Sequence, residues 1–345
     1  MGFSTKDIRN VTIAGHGQTG KTTLLEHLLF VSGVIPKPET TDSGKTVSDY
    51  SAEEIERKIS VYASLSHIER NGKLINFWDT PGSADFVGEV ISAFRSSEAA
   101  TMLIDGRNGV QIETVKLWRD LDRRNKPRMI FINHTEDERT DVAAIAKDVH
   151  DKFAVEVCQV TIPMNKSGKF EGVIDVLNGK AYFVPENGKI EVASEVPSEY
   201  QDEYKTALGV LTGSAAEGDD DLLVKFIDEG ELTSEEIAYG LKIALKNNRI
   251  IPAFCADVTA NSGLVPYLDF VAEIAPSPEE AIETAKNQDD EIVSVLVASS
   301  DVMSALVVKT ASDQFSGKLS YIKVVNGTLN ADTEYWNIQD GRKEK

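Results

Sequence analysis

A lysine and a hydroxyl set just after a glycine-rich turn can hold the phosphates and the metal of a nucleoside triphosphate. Gly15-His16-Gly17-Gln18-Thr19-Gly20-Lys21-Thr22 has both groups at the required spacing. Its glycines let successive backbone N–H groups and a helix N-terminus face one anion, Lys21 reaches the outer phosphates, and the Thr22 hydroxyl is placed for Mg2+. The run follows the apolar stretch Val11-Thr12-Ile13-Ala14, which reads as a strand, and leads into Thr23-Leu24-Leu25-Glu26-His27-Leu28-Leu29, which reads as a helix. That setting points to a nucleotide site rather than an ordinary glycine turn. A second chemical group, Asp79-Thr80-Pro81-Gly82, ends the strand-like Ile75-Asn76-Phe77-Trp78. An aspartate there serves Mg2+, usually through water, and Gly82 offers its N–H to the γ-phosphate.

The elements that must position these groups alternate in type. Ala99 to Ile104 and Met129 to Ile132 read as further buried strands separated by helical periods, which predicts an α/β fold. The expected architecture is a P-loop NTPase doubly wound sheet with ligand loops at the strand C-termini. Between the two phosphate-facing groups, Pro36 to Arg57 is polar and is expected to order only around the γ-phosphate and Mg2+, as a nucleotide-sensing switch before a strand at Ile59-Ser60-Val61-Tyr62-Ala63. From about 160 to 250, the strands Gly172 to Val176 and Ala181 to Val184, with acidic helices at Glu199 to Val210 and Leu222 to Leu245, predict an inserted α/β subdomain. Ile250 to Cys255 resumes the sheet, and Leu264 to Ala275 adds a helix before Pro276-Ser277-Pro278. Strand signals at Ile292 to Ala298 and Lys318 to Val325, with Asn326-Gly327, open a β-barrel domain with too few strands to close, as in a piece of a longer protein. The expected division is therefore 1–160 with 250–280, an insertion at 161–249, and a partial barrel at 290–345.

Composition narrows the function. Fifty-six Asp and Glu against 36 Lys and Arg give a formal charge of −20, which excludes a sequence-independent nucleic-acid clamp, and nothing points to sequence-specific DNA. Apolar runs are too short for a membrane span, predicting a cytoplasmic protein. Cys158 and Cys255 lack metal spacing and read as buried small hydrophobes. His27, His67 and His150 likewise read as structural or exposed, and Met102, Trp78 and Trp118 as core.

In order and spacing, these motifs resemble the N-terminal part of the bacterial translation elongation factor G family, especially its divergent paralogues. Glu56-Arg57-Lys58-Ile59-Ser60 is similar to the family's Glu-Arg-Gly-Ile-Thr, and Asp79 to Phe86 to its Asp-Thr-Pro-Gly-His-Val-Asp-Phe. The likeness runs through Phe170 to Asp175, Pro276-Ser277-Pro278 and Gly317-Lys318-Leu319, so that it covers nearly all of the chain. It implies a GTPase that binds GTP or GDP with Mg2+ and acts on the ribosome in elongation, mainly through domains outside these residues. Gly15 to Thr23 would hold phosphates, Thr22, Ser60 and Asp79 the metal environment, and Asn133, His134, Glu136, Asp257 and Val258 the base.

Departures from the family pattern carry their own expectations. Asn133-His134-Thr135-Glu136 stands where the family has Asn-Lys-x-Asp. The added methylene of Glu136 strains a bidentate contact to guanine, and His134 removes a fixed positive charge. Asp257, at the usual serine position, is expected to compete with Glu136 or repel it. Gln18 replaces a common acidic residue. Ser83 replaces the catalytic histidine, and its hydroxyl is too short and too weakly basic to orient water as an imidazole does, so hydrolysis is expected to be slow. Two other readings share these motifs: a pseudo-GTPase regulating the ribosome, and a ribosomal protection protein.

Overall fold

The computed structural model describes residues 2–184, 190–287, 289–297, 302–313 and 317–345. Its phosphate-loop strand, β1 (Ile8–Gly15), sends Val11 and Ile13 into one apolar cluster and Ala14 into another. A strand with apolar residues on both faces needs helices on both sides, which is what the chain next supplies. In order follow α1 (Lys21–Val31), α2 (Ala52–Arg57), β2 (Ser64–Arg70), β3 (Lys73–Asp79), α3 (Val87–Ser96), β4 (Ala99–Asp105), α4 (Ile112–Arg123), β5 (Arg128–Asn133), α5 (Val142–Phe153) and β6 (Glu156–Gln159). An insertion then carries β7 (Thr161–Lys166), β8 (Lys169–Asp175), β9 (Lys180–Phe183), β10 (Glu191–Ala193), α6 (Gln201–Ala216), α7 (Asp220–Glu229) and α8 (Ser234–Lys246) before β11 (Ile250–Ala256) and α9 (Leu264–Glu273) return to the main sheet.

The main sheet has the order β2-β3-β1-β4-β5-β11-β6 and is parallel except for the β2–β3 pair. Residues of α1 and α9 build one core with Phe77, Phe131 and Phe254; residues of α3, α4 and α5 build the other with Met102, Ile130 and Ile132. Strands β7 to β10 form a separate antiparallel sheet. Both cysteines are buried, and burial pushes each thiol up to about 12.

Three expectations are corrected here. Residues 59–63 do not form a strand; the strand lies at β2, where Ser66 and Ile68 face inward. The reason is visible in the backbone donors: Val61 and Tyr62 give their N–H groups to the Glu54 carboxylate and Ala63 gives its to Glu89, not to a neighbouring strand. Nor is the polar segment from Pro36 to Arg57 without internal anchors. Thr46, Ser48, Asp49 and Glu54 are buried, and the Glu26 carboxylate on α1 accepts the N–H groups of Glu39 and Val47. Polar composition was a poor guide because Thr46, Glu54 and Glu26 accept the segment's backbone N–H groups and Ser48 turns inward to Asp79. The long helical stretch expected at 222–245 is split by Gly230, in the left-handed conformation, and restarts with a capping box between Thr233 and Glu236.

Residues 279–345 form a second compact unit. Its described residues hold three antiparallel pairs: β12 (Ile282–Lys286) with β13 (Ile292–Leu296), β14 (Ser304–Asp313) with β15 (Gly317–Asn326), and β16 (Tyr335–Asn337) with β17 (Arg342–Glu344). Ala298, the expected end of one strand, lies outside the described residues. Among the described residues of the chain, no helix is long and apolar enough to cross a membrane.

Candidate functional site

The glycine-rich loop joins β1, inside the main sheet, to the N-terminus of α1. Gly20 adopts φ 94°, and a Cβ there would stand 2.6 Å from Asn133 Nδ2, so conformation and space both require glycine. Lys21 is 6 % exposed and donates to the carbonyls of Gly15 at 3.1 Å and His16 at 2.8 Å. Burial lowers its pKa to about 8, opposed by the charges of Asp79 and Asp49. The loop thus holds a cation in a dry setting, where it attracts an anion more strongly than in water.

Next to it lies a cluster of hydroxyls and carboxylates. Asp79, at the end of β3, accepts on one oxygen, Oδ2, from Thr22 Oγ1 and Ser48 Oγ, both at 2.8 Å. Thr22 Oγ1 is also 3.2 Å from Ser60 Oγ. The other oxygen of Asp79, and Oδ1 of Asp49, are buried without a hydrogen-bond partner. Burial and then the charge of Asp79 push Asp49 up to about 6, partly offset by a hydrogen bond from Ser60; burial also raises Asp79. Hard oxygen ligands, two of them unsatisfied carboxylate oxygens, fit Mg2+, which takes one or two carboxylates and completes its shell with water and phosphate. Among the described residues, no group of three or more His, Cys, Asp and Glu is arranged to hold a metal ion.

Gly82 closes the phosphate loop. A Cβ on it would lie 2.5 Å from Lys21 Nζ and 2.7 Å from Gly17 Cα, which leaves no room for any side chain. Thr80 fixes this turn by donating to Ile13 O at 2.7 Å. Ser83 follows at a half-buried position, but its hydroxyl caps a single helical turn at 84–86, accepting from Asp85 N at 3.4 Å.

At the other end, the buried Asn133 at the tip of β5 ties two loops together. Its Nδ2 donates to Thr19 O at 3.0 Å, and its Oδ1 accepts from Val258 N at 3.4 Å. His134 has φ 62° and its ring nitrogen lies 3.2 Å from Glu136 Oε1. Asp257 differs from the expectation that it would compete with Glu136. Its Oδ1 accepts from Thr259 Oγ1 at 2.8 Å and Ala260 N at 3.1 Å, so the carboxylate is turned into its own loop.

The structure thus brings the residues of 15–22 together with Ser60, Asp79 and Gly82, links Asn133 and Val258 to the same loop, and leaves Thr23 half-buried on α1. Sequence reasoning missed Ser48, Asp49, Glu26 and Glu54 as site-building groups. Only Glu54 had a readable signal, the spacing Ser51-x-x-Glu54 of a capping box. Of the histidines, His27 binds Asn261 Oδ1 at 2.7 Å and His150 binds Val155 O at 2.7 Å, both structural roles.

The model of the elongation factor Tu GTP binding domain matches residues 6–307. The chain is 31% identical over 341 residues to elongation factor G of Thermotoga petrophila, covering 98% of this chain and 49% of that protein. It is also 31% identical over 366 residues to the mitochondrial ribosome-releasing factor 2 of Yarrowia lipolytica, covering 99% of this chain and 46% of that protein. The crystal structure of a protein from Thermus thermophilus superposes with a TM-score of 0.82 at 27% identity, over 95% of this chain and 47% of that one. The chain spans about half the length of the relatives it matches.

Proposed function

The chain belongs to the family of the elongation factor Tu GTP-binding domain, and from that premise we propose that it binds GTP with Mg2+, hydrolyses it slowly when alone, and works on the ribosome in translation elongation. The observation that carries this reading is the convergence of Lys21, Thr22, Ser48, Ser60 and Asp79 at one loop. In this reading Gly15 to Thr23 and Gly82 surround the phosphates, and Lys21 leaves its two carbonyl partners to meet them. Thr22, Ser60 and Asp79 would hold Mg2+, which supplies charge compensation at the outer phosphates. Asn133 and Val258 fix the loops beside the base, and Glu136 reads its edge with His134 against it. Asp257 stiffens the neighbouring turn.

Ser83 supports slow hydrolysis. Its hydroxyl accepts from Asp85 N and is too short and too weakly basic to act as an imidazole would, so in this reading water is oriented by another group, supplied by a partner or by the backbone. The relatives favour neither the regulatory nor the ribosomal protection alternative. We further propose that residues 290–345 begin a barrel domain, that 161–249 act as an inserted subdomain, and that the protein works in the cytoplasm.

The test is a titration of the 345-residue chain with GTP, GDP, XTP and ATP in Mg2+. Guanine nucleotides are expected to bind, with a narrowed margin over XTP and no ATP binding. Lys21→Ala is expected to weaken triphosphate binding by about a hundredfold or more, because it removes the cation inside the loop. Unchanged affinity in calorimetry would refute the phosphate site, and equal binding of ATP would refute the base reading.

A further inference from the structure

Glu54 is 1 % exposed and lies six residues before Ser60 in the segment that carries it. Its Oε2 accepts from Ser51 N at 3.1 Å, while its own N–H donates to Ser51 Oγ at 3.2 Å, which completes the capping box of α2. Oε1 has a different task. It accepts from Val61 N and Tyr62 N, both at 3.1 Å. Lys58, at φ 54°, ends α2 and turns the chain so that these two donors come back to the carboxylate. They are the first two N–H groups after Ser60, so Glu54 fixes the backbone that aims the Ser60 hydroxyl at Thr22, 3.2 Å away. Three backbone donors on one buried carboxylate form a charge-assisted set, and an amide in its place would turn N–H groups toward one of those donors.

We propose that Glu54 is a positioning residue for the triphosphate state: it holds Ser60 against Thr22, whose hydroxyl also donates to Asp79, and thereby sets the preference for nucleoside triphosphate over diphosphate. This rests on the reading that Ser60 serves the metal and the γ-phosphate. A purely structural glutamate would affect both nucleotides alike, because the loop at 15–22 and Lys21 meet them equally.

The experiment titrates the full chain, in Mg2+, with fluorescently labelled GDP and a non-hydrolysable GTP analogue, and reads the ratio of the two affinities. Glu54→Ala is expected to weaken the analogue by about tenfold while leaving GDP within about twofold, as loss of a set of charge-assisted bonds predicts. Glu54→Gln, which keeps an acceptor for Val61 and Tyr62, is expected to restore part of the ratio. Ser60→Ala is expected to lose as much as Glu54→Ala, and the double variant no more than either. If Ser60→Ala lowers the ratio but Glu54→Ala weakens both nucleotides equally, or neither, the positioning role is overturned and the reading of Ser60 stands. If Ser60→Ala leaves the ratio unchanged, that reading falls and the proposal with it. Should Glu54→Ala not fold, Glu54→Asp decides: its shorter side chain draws the acceptor away from Val61 and Tyr62, and an unchanged ratio overturns the proposal.

Discussion

Two carboxylates, Asp49 and Asp79, share one small dry space, and each keeps an oxygen without a donor. Asp49, raised to about 6 by burial and by Asp79, holds its proton more tightly in the folded chain than in the unfolded one. The folded state therefore binds the extra proton between about pH 4 and 6, and stability falls as the pH rises through that window. In metal-free and nucleotide-free protein, Asp49→Asn is expected to flatten this loss and to raise the unfolding midpoint at pH 7 by about 2–4 °C, measured by differential scanning fluorimetry. The same change should weaken Mg2+-dependent binding. At Ser83 the expectation is kinetic. With Gly82 and Asp79 in place, the slow hydrolysis proposed above would trace to the orienting of water, and Ser83→His is expected to raise the single-turnover rate of GTP hydrolysis by about tenfold or more when the rest of the protein and ribosomes are supplied. An unchanged rate would show that water is oriented elsewhere.

Between residue and domain stands the segment from 36 to 63, which is held to its neighbours by carboxylates that accept backbone N–H groups. Glu26 does this from α1, one turn beyond Thr22, so the helix that begins at the phosphate loop also anchors the start of the segment. Removing that anchor leaves the N–H groups of Glu39 and Val47 without an acceptor, at a cost of about 1–3 kcal/mol for each group that stays buried. Glu26→Ala is therefore expected to speed amide hydrogen exchange at 39–47 by about tenfold, followed by mass spectrometry, while β1 and β4 exchange as before. Equal acceleration throughout the chain would mean that Glu26 supports the fold as a whole rather than this segment.

Every buried hydrophobic residue of both core clusters falls between Val11 and Ala275, and every residue placed at the site lies in the same unit. Among the described residues of 279–345 none is buried. A shortened chain of residues 1–278 is thus expected to fold and to bind GDP within about twofold of the full chain, measured by calorimetry, because burial of apolar surface drives folding and none of the core is removed. Loss of cooperative unfolding in that piece would assign a stabilising role to the second unit.

What the sequence determined by itself were the parts governed by local rules. The loop at 15–22, the strand ending at Asp79 and the continuous apolar runs at β4, β5 and β11 were legible because a phosphate loop is one contiguous stretch and a strand buried on both faces is apolar throughout. The strands at β8 and β9 and the acidic helices after them were legible as apolar runs followed by charged helical periods. Tertiary structure alone decided what the polar residues between these runs would do. Nothing local distinguishes Ser48 from a solvated serine, or Glu26 from any helical glutamate; each gains its role from a partner 31 or 21 residues away along the chain, brought close by the order of strands in the sheet. The strand expected at 59–63 failed for the same reason: its N–H groups found carboxylates on Glu54 and Glu89 before they could find another strand. For Asp257 only the folded backbone reveals that its Oδ1 accepts from Thr259 and Ala260, because an aspartate can satisfy its own loop.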